Sequence, residues 1–227
     1  MPVSRFIRKN DPIASELKKI KIDNWSRLKE YPYIISFLDK GDIVLDAGCG
    51  SQRRGYPLPL VLTDFYSHVY GVDIWDIYPE ESSKDVTYIK MDMVNMDFKD
   101  GLFDTIVCAS VLEHLEEDLM IGCIDELARV LKPQGKLIMT FDVTFDPQKV
   151  SPPCNFLEHQ LNNKGIYCGE KYGVRPNIDI YLSAEKIIDY FSDYFEIDGE
   201  VDFTRDENTL TSANISIFVC KMKKKRS

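Results

Sequence analysis

Residues 42–56, DIVLDAGCGSQRRGY, combine a predicted buried strand, an acid and a glycine turn. The turn consists of Gly48, Cys49 and Gly50, and Asp46 stands just before it. Glycine turns after strands commonly bind phosphates through backbone N–H groups that point at the anion. The carboxylate of Asp46 would repel such a phosphate, so the pattern favours a ligand that carries positive charge.

A dinucleotide site is the alternative, and its G-x-G-x-x-G pattern is incomplete. Gly48 and Gly50 fit it, but Arg53 stands where the third glycine belongs. S-adenosylmethionine carries an ammonium and a sulfonium group and no phosphate. It therefore suits the acid and glycine pattern better than a nicotinamide dinucleotide does.

Five segments, taken in chain order, resemble the motifs of the class I S-adenosylmethionine-dependent methyltransferases. VLDAGCG resembles motif I, VYGVDI resembles the second motif and ends in Asp73, and IKMDM resembles the third motif and contains Asp92. FDTIVCASVLEHL resembles the fourth motif, and ELARVLKPQGKLIMT resembles the helix and strand that follow, where the family usually has L-K-P-G-G. The resemblance covers residues 42–143. It implies a methyltransferase of the small-molecule, ubiquinone-type branch, with S-adenosylmethionine as cofactor.

The resemblance also implies a set of cofactor-binding residues. These are Asp46, Gly48, Cys49, Gly50, Asp73, Ile74, Asp92, Met93, Ala109 and Ser110. Gly48 and Gly50 would let the backbone approach the cofactor closely, and Asp73 would accept hydrogen bonds from the ribose hydroxyls. Asp92 would accept the adenine amino group, and Asp97 is the alternative to it.

Methyl transfer from a sulfonium is a displacement that depends mainly on alignment of the two reactants. An oxygen acceptor also needs a base, and the sequence has Glu113 and His114 just after the fourth predicted strand. We expect these two to be the catalytic residues, with His114 as the base. The alternative is that the pair only hydrogen-bonds the loop backbone. Relatives with E-x-x-E-H bind a metal ion here, but Ser110 replaces the first glutamate, so we expect no metal.

Predicted strands and helices alternate along the chain. Strands are predicted at 42–46, 69–74, 85–90, 103–110, 136–143, 196–203 and 213–222, and helices at 58–68, 116–135 and 183–195. This alternation predicts a doubly wound α/β sheet, mostly parallel, with helices on both faces. The short connection between the last two strands predicts that they are antiparallel. The resemblance implies a Rossmann-like sheet of seven strands.

We expect one domain, 1–227, with four parts. A helical segment at 1–40, which contains Trp25, is predicted to be a lid over the cofactor-binding core at 42–143. Residues 144–182 form a substrate-side insertion, and 183–222 form the last helix and hairpin. Cys154, His159 and Cys168 lie in the insertion, but they lack the fourth ligand and the close spacing of a zinc site.

Charge and hydropathy narrow the choice of partner. The formal net charge of −9 disfavours nucleic acid, although the tail KMKKKRS is basic. No apolar run is long enough to span a bilayer, and the first residues lack a secretory signal, which predicts a cytoplasmic protein without a membrane partner. We therefore expect a small-molecule acceptor, methylated on oxygen or nitrogen. A methyltransferase for protein or RNA, a non-catalytic cofactor-binding subunit and a homodimer stay open as alternatives.

Overall fold

The computed structural model of the chain describes residues 27–50, 58–74, 85–115, 117–144, 184–198, 202–204 and 215–225. Several predicted features lie outside these residues. They are the insert with Arg53 and Arg54, Trp25 and the rest of 1–26, most of the insertion, and the group of Cys154, His159 and Cys168.

One sheet of eight strands forms the centre of the described structure. The strands are β1 Gly41–Ala47, β2 Tyr66–Asp73, β3 Val86–Lys90, β4 Phe103–Ala109, β5 Leu131–Thr144, β6 Phe195–Ile197, β7 Asp202–Thr204 and β8 Ile215–Lys224. Their order is β3-β2-β1-β4-β5-β8-β6, and β7 also pairs with β8. Strands β1 to β5 are parallel, and β8 is antiparallel to β5, β6 and β7. The predicted sheet, mostly parallel with an antiparallel end, is confirmed.

Helices pack on both faces of the sheet. They are α1 Arg27–Phe37, α2 Leu58–Leu62, α3 Glu117–Val130 and α4 Ala184–Phe191, with a 3-10 turn at Leu112–His114. On one face, α1 and α2 bury Tyr31, Ile34, Leu58 and Leu62 against the sheet residues Val44, Val107 and Ile138. On the other face, α3 and α4 bury Met120, Ile124, Leu127 and Phe191 against Leu45, Ile106, Leu137 and Met139. Successive strand residues face opposite sides, which is why one apolar run serves two cores.

The second strand begins earlier than its sequence predicts. The helix predicted at 58–68 ends at Leu62, and β2 starts at Tyr66. Tyr66 pairs with Gly41 on β1, and its hydroxyl donates to Oγ1 of Thr105 at 2.9 Å. These contacts with neighbouring strands hold Tyr66 in the sheet, so the predicted boundary was wrong.

The strand predicted at 196–203 is two short strands. Five residue steps separate Ile197 from Asp202, whereas their partners on β8, Met222 and Val219, are three steps apart. The two extra residues cannot fit into one continuous ladder, so the pairing is interrupted between β6 and β7.

Candidate functional site

The glycine turn follows β1 in the middle of the sheet. Gly48 and Gly50 have φ angles of 77° and 63°, in the region that favours glycine. The N–H groups of Gly48 and Cys49 both donate to the carbonyl of Val72, at 2.8 and 3.0 Å. The N–H of Gly50 donates to Oδ2 of Asp73 at 2.8 Å. All three N–H groups of the turn are therefore bonded to β2.

These bonds distinguish between a phosphate and a cation as ligand. A phosphate-binding loop points its N–H groups at the anion, but those of residues 48–50 donate to protein oxygens. Two acids flank the turn, because Asp46 precedes it and Asp73 accepts the N–H of Gly50. Both are buried and expose only 2% and 7% of their surface. Buried carboxylates favour a positive group nearby. The arrangement fits the sulfonium and ammonium groups of S-adenosylmethionine and does not fit a pyrophosphate.

The space beside Gly48 is filled by protein. A Cβ atom on Gly48 would lie 2.5 Å from Cγ2 and 2.9 Å from Cγ1 of Val111, the second residue after β4. Any larger residue would have to displace Val111 and would also be strained at a φ of 77°. The turn and the segment after β4 are therefore packed against each other, which the sequence did not predict.

Three predicted cofactor residues near this turn differ in exposure. Cys49 is buried, its thiol donates to the carbonyl of Gly50 at 3.3 Å, and its sulfur fills the space beside Gly71. Its side chain thus belongs to the core, and only its backbone belongs to the turn. Ala109 is buried at the end of β4, and Ile74 is half-buried just after β2.

Asp92 follows β3 at the same edge of the sheet. The N–H of Met91 donates to the carbonyl of Asp73 at 2.9 Å, which holds this loop beside the end of β2. Asp92 is exposed, and its Oδ1 accepts the N–H of Val94 at 3.0 Å, as in an Asx turn. Met93 is buried in the core, so its side chain packs beneath the site. Of the two predicted cofactor residues Asp92 and Met93, Asp92 is therefore the one that reaches the surface.

The negative charge of Asp92 in this loop acts on a buried thiol, that of Cys123. Burial, together with the nearby carboxylates of Asp92 and Glu126, raises the pKa of the Cys123 thiol to about 12. Cys123 lies on α3 and is buried in the core. Ionisation of this thiol is therefore disfavoured, chiefly by its burial.

Ser110, just after β4, is held by two buried residues that the sequence analysis missed. Ser110 has a φ of 51°, and its N–H donates to the carbonyl of Thr140 at 3.1 Å. Its hydroxyl donates to Oε1 of Glu30 and lies 3.3 Å from the hydroxyl of Thr140, which donates to the same Oε1 at 3.0 Å. Glu30 and Thr140 expose 0% and 1% of their surface. One feature of the sequence indicated weakly that Glu30 is buried. It is four residues before Ile34 and therefore lies on the same, apolar side of α1.

The predicted catalytic pair lies in the 3-10 turn. Glu113 is fully buried, whereas His114 is half-buried. The N–H of His114 donates to the carbonyl of Val111 at 3.1 Å, so the turn continues directly from the segment that packs on Gly48. Of the two side chains, His114 is the one that reaches the surface.

Among the residues that the structure describes, no three His, Cys, Asp or Glu side chains are placed to hold a metal ion. The absence of a metal stays a prediction, because part of the chain lies outside those residues. No described helix is long and apolar enough to cross a membrane.

Comparison with known proteins agrees with the geometry of the turn. Residues 45–139 match the family described as "Methyltransferase domain". Residues 45–139 therefore form a methyltransferase domain of the class I S-adenosylmethionine-dependent type. The motif resemblance and S-adenosylmethionine as the cofactor of this family are confirmed. The ubiquinone-type branch stays a prediction.

The curated relatives of this chain include a tRNA methyltransferase. The tRNA (carboxymethyluridine(34)-5-O)-methyltransferase of Arabidopsis thaliana is 30% identical over 132 residues, which are 57% of this chain and 30% of that protein. This chain therefore spans less than a third of that relative's length.

Solved structures with low identity share the fold. The 1,6-didemethyltoxoflavin-N1-methyltransferase of Burkholderia thailandensis, which contains bound 1,6-didemethyltoxoflavin and S-adenosylhomocysteine, has a TM-score of 0.64 and 14% identity. That match covers 99% of this chain and 94% of the other. A chain from the Haloferax volcanii complex with the Trm112 methyltransferase activator has a TM-score of 0.64 and 16% identity, and the match covers 95% of both chains.

Proposed function

We propose that this chain transfers the methyl group of S-adenosylmethionine to an oxygen or nitrogen atom of a small organic acceptor. The observation that carries the proposal is the glycine turn, which has its N–H groups bonded to β2 and buried acids on both sides. When bound there, S-adenosylmethionine supplies a methyl group on a positively charged sulfur. The protein then has to align the acceptor and exclude water, and alignment can lower the barrier by roughly 7–11 kcal/mol.

Each acid at the strand ends has a role in this proposal. Asp73 holds the turn through Gly50 and accepts hydrogen bonds from the ribose hydroxyls. Asp92, exposed after β3, accepts the amino group of the adenine. Asp46, buried beside the turn, favours the positive charge of the methionine part through its own negative charge.

His114 is proposed as the base when the acceptor is a hydroxyl group. An imidazole titrates near neutral pH, and His114 is partly exposed directly after the segment that touches Gly48. Glu113 is buried in the same turn, which suits a role in holding the turn better than contact with the acceptor.

The distribution of charge favours a small acceptor over a nucleic acid. The chain has a formal net charge of −9, and its lysine-rich end lies far from the turn. Thr140, at the site edge, pairs with Val219, whereas Lys223 pairs with Lys136 near the opposite end of β5. Val219 and Lys223 are about 13 Å apart along β8, at roughly 3.3 Å per residue. The basic tail therefore continues away from the cofactor edge of the sheet.

Transfer to RNA is the second candidate. It is favoured by the 30% identity to a tRNA methyltransferase, whose name specifies an oxygen acceptor. Arg53 and Arg54, which follow the glycine turn in the sequence, are the basic residues that would serve this candidate.

A labelling experiment distinguishes these candidates. The purified chain is incubated with S-adenosylmethionine labelled in the methyl group, together with a deproteinised small-molecule extract, total tRNA or a protein extract in separate reactions. We expect label in acid-soluble product, no transfer by Asp73→Ala, and normal transfer by Asp104→Asn, which alters an acid at the opposite end of β4. Label in tRNA would establish the second candidate. Binding of S-adenosylhomocysteine without transfer to any acceptor would indicate a non-catalytic subunit.

A further inference from the structure

We propose that Glu30 is a positioning residue that holds the segment after β4 in the conformation required by the cofactor turn. The proposal rests on the proposed function only in taking residues 48–50 as the cofactor turn. Glu30 lies on α1, outside the five motif segments, and contacts Ser110, which follows β4, and Thr140 on β5.

The first step concerns the backbone of Ser110. A φ of 51° is disfavoured for serine, because Cβ crowds the backbone in the left-handed region. Such a conformation persists when surrounding contacts determine it. Here the N–H of Ser110 is held by the carbonyl of Thr140, and its hydroxyl is held by Glu30.

The second step connects Ser110 to the cofactor turn. Val111 follows Ser110 directly and fills the space beside Gly48, with Cγ2 at 2.5 Å from the position of an added Cβ. A rotation of Ser110 to an ordinary negative φ would carry Val111 away from Gly48. It would also reorient the 3-10 turn at Leu112–His114, which contains the proposed base.

The third step concerns Glu30 itself. A buried carboxylate is costly unless it accepts hydrogen bonds, and one oxygen of Glu30 accepts the hydroxyls of both Ser110 and Thr140. Its neighbours Tyr31 and Ile34 are packed in the core, so α1 has little freedom to move Glu30 away. Glu30 therefore links α1 to the residue that follows β4 and to β5, at the edge of the sheet where the cofactor turn lies.

The test uses the full chain, without any acceptor. The variants are Glu30→Met, which removes the acceptor oxygens, Ser110→Ala, Ser110→Gly and the matched control Asp104→Asn, whose carboxylate accepts the N–H groups of Asp42 and Ile43 at the opposite edge. Hydrogen exchange of residues 110–115 is measured in the ligand-free protein, with α3 as internal reference. The affinity for S-adenosylhomocysteine is measured by calorimetry.

We expect Glu30→Met to raise exchange of residues 110–115 at least about tenfold and to weaken binding of S-adenosylhomocysteine about five- to tenfold. Ser110→Ala should weaken binding similarly, whereas Ser110→Gly should stay within about threefold of wild type, because glycine adopts a φ of 51° without restraint. Asp104→Asn should leave both readouts unchanged. Both Ser110 variants lose the hydroxyl, so loss of its hydrogen bond alone would weaken binding equally in the two. A larger loss of affinity in Ser110→Ala than in Ser110→Gly would instead report on the backbone conformation.

Unchanged exchange of residues 110–115 in Glu30→Met would overturn the proposal. Equal loss of affinity in Ser110→Gly and Ser110→Ala would also overturn it, because the hydroxyl and not the backbone would then matter to the ligand. If Glu30→Met does not fold, Thr140→Val, which removes one of the two hydroxyls that donate to Glu30, takes its place with an expected effect of about threefold. Failure of the wild type to bind S-adenosylhomocysteine would contradict the proposed function, whereas the exchange experiment would still decide the role of Glu30.

Discussion

Asp73 accepts the backbone N–H of Gly50 at 2.8 Å, so the acid that ends β2 also holds the turn that follows β1. Two adjacent strand ends are thereby joined at the point where a ligand of an open α/β sheet binds. The proposed contact with the ribose and the support of the turn therefore depend on one side chain.

Asp73→Ala and Gly48→Val should each weaken S-adenosylhomocysteine at least about tenfold, or roughly 1.4 kcal/mol. The first change removes the acceptor of the Gly50 N–H, and the second forces Val111 away from the turn. Asp73→Asn, which retains one carbonyl oxygen for that N–H, should lose less. Calorimetry that finds wild-type affinity in both Asp73→Ala and Gly48→Val would sink the assignment of the site.

Asp92 and Asp97 offer a matched pair, because both are exposed acids in one loop. Asp92 starts the loop beside Asp73, so Asp92→Ala should weaken S-adenosylhomocysteine about three- to tenfold. Asp97→Ala should leave the affinity unchanged. The opposite order in a titration would assign the adenine contact to Asp97.

Cys123 should make the stability of the fold depend on alkaline pH. The pKa of its thiol rises from 9.0 to about 12 on folding, so the unfolded chain loses this proton first. Stability then falls as pH rises above about 9, by up to about 1.4 kcal/mol per pH unit. Urea unfolding at pH 8 and 10 should show a larger loss for wild type than for Cys123→Ala. Equal losses in the two proteins would contradict the pKa shift.

The predicted lid at 1–40 includes α1, which packs on the sheet, so only its first part can be removed without damage to the core. Deletion of residues 1–30 would remove Glu30 and expose Tyr31, which is packed on the sheet. Deletion of 1–25 spares α1 and removes Trp25. We expect S-adenosylhomocysteine to bind within a few-fold of wild type and turnover to be abolished, because water is no longer excluded. Full turnover by the shortened protein would show that 1–25 is not a lid.

Methyl transfer should not need a metal ion, because Ser110 stands in place of the first ligand glutamate and is bonded to Glu30. We expect the same S-adenosylhomocysteine affinity in EDTA and in magnesium, and full activity in EDTA with the acceptor found by labelling. Activity that disappears in EDTA and returns with a divalent ion would reveal ligands beyond the described residues.

The succession of strands and helices along the chain could be predicted from the sequence because it depends on local patterns. Apolar runs such as FDTIVCAS mark strands that are buried on both faces, and α3 shows its buried side every three to four residues. The boundaries of the strands and helices were predicted less accurately. Tyr66, for example, belongs to β2 through contacts with Gly41 and Thr105, which a local sequence pattern does not encode.

By itself the sequence determined the acid and glycine turn and, through five ordered motifs, the family and its cofactor. Only the tertiary structure decided that the N–H groups of the turn are bonded to β2, because their acceptors lie on another strand. Only the tertiary structure also brought Glu30 to Ser110 and Thr140, which are 80 and 110 residues away along the chain. A buried polar group needs partners, and the fold, not the local sequence, chooses which distant side chains supply them.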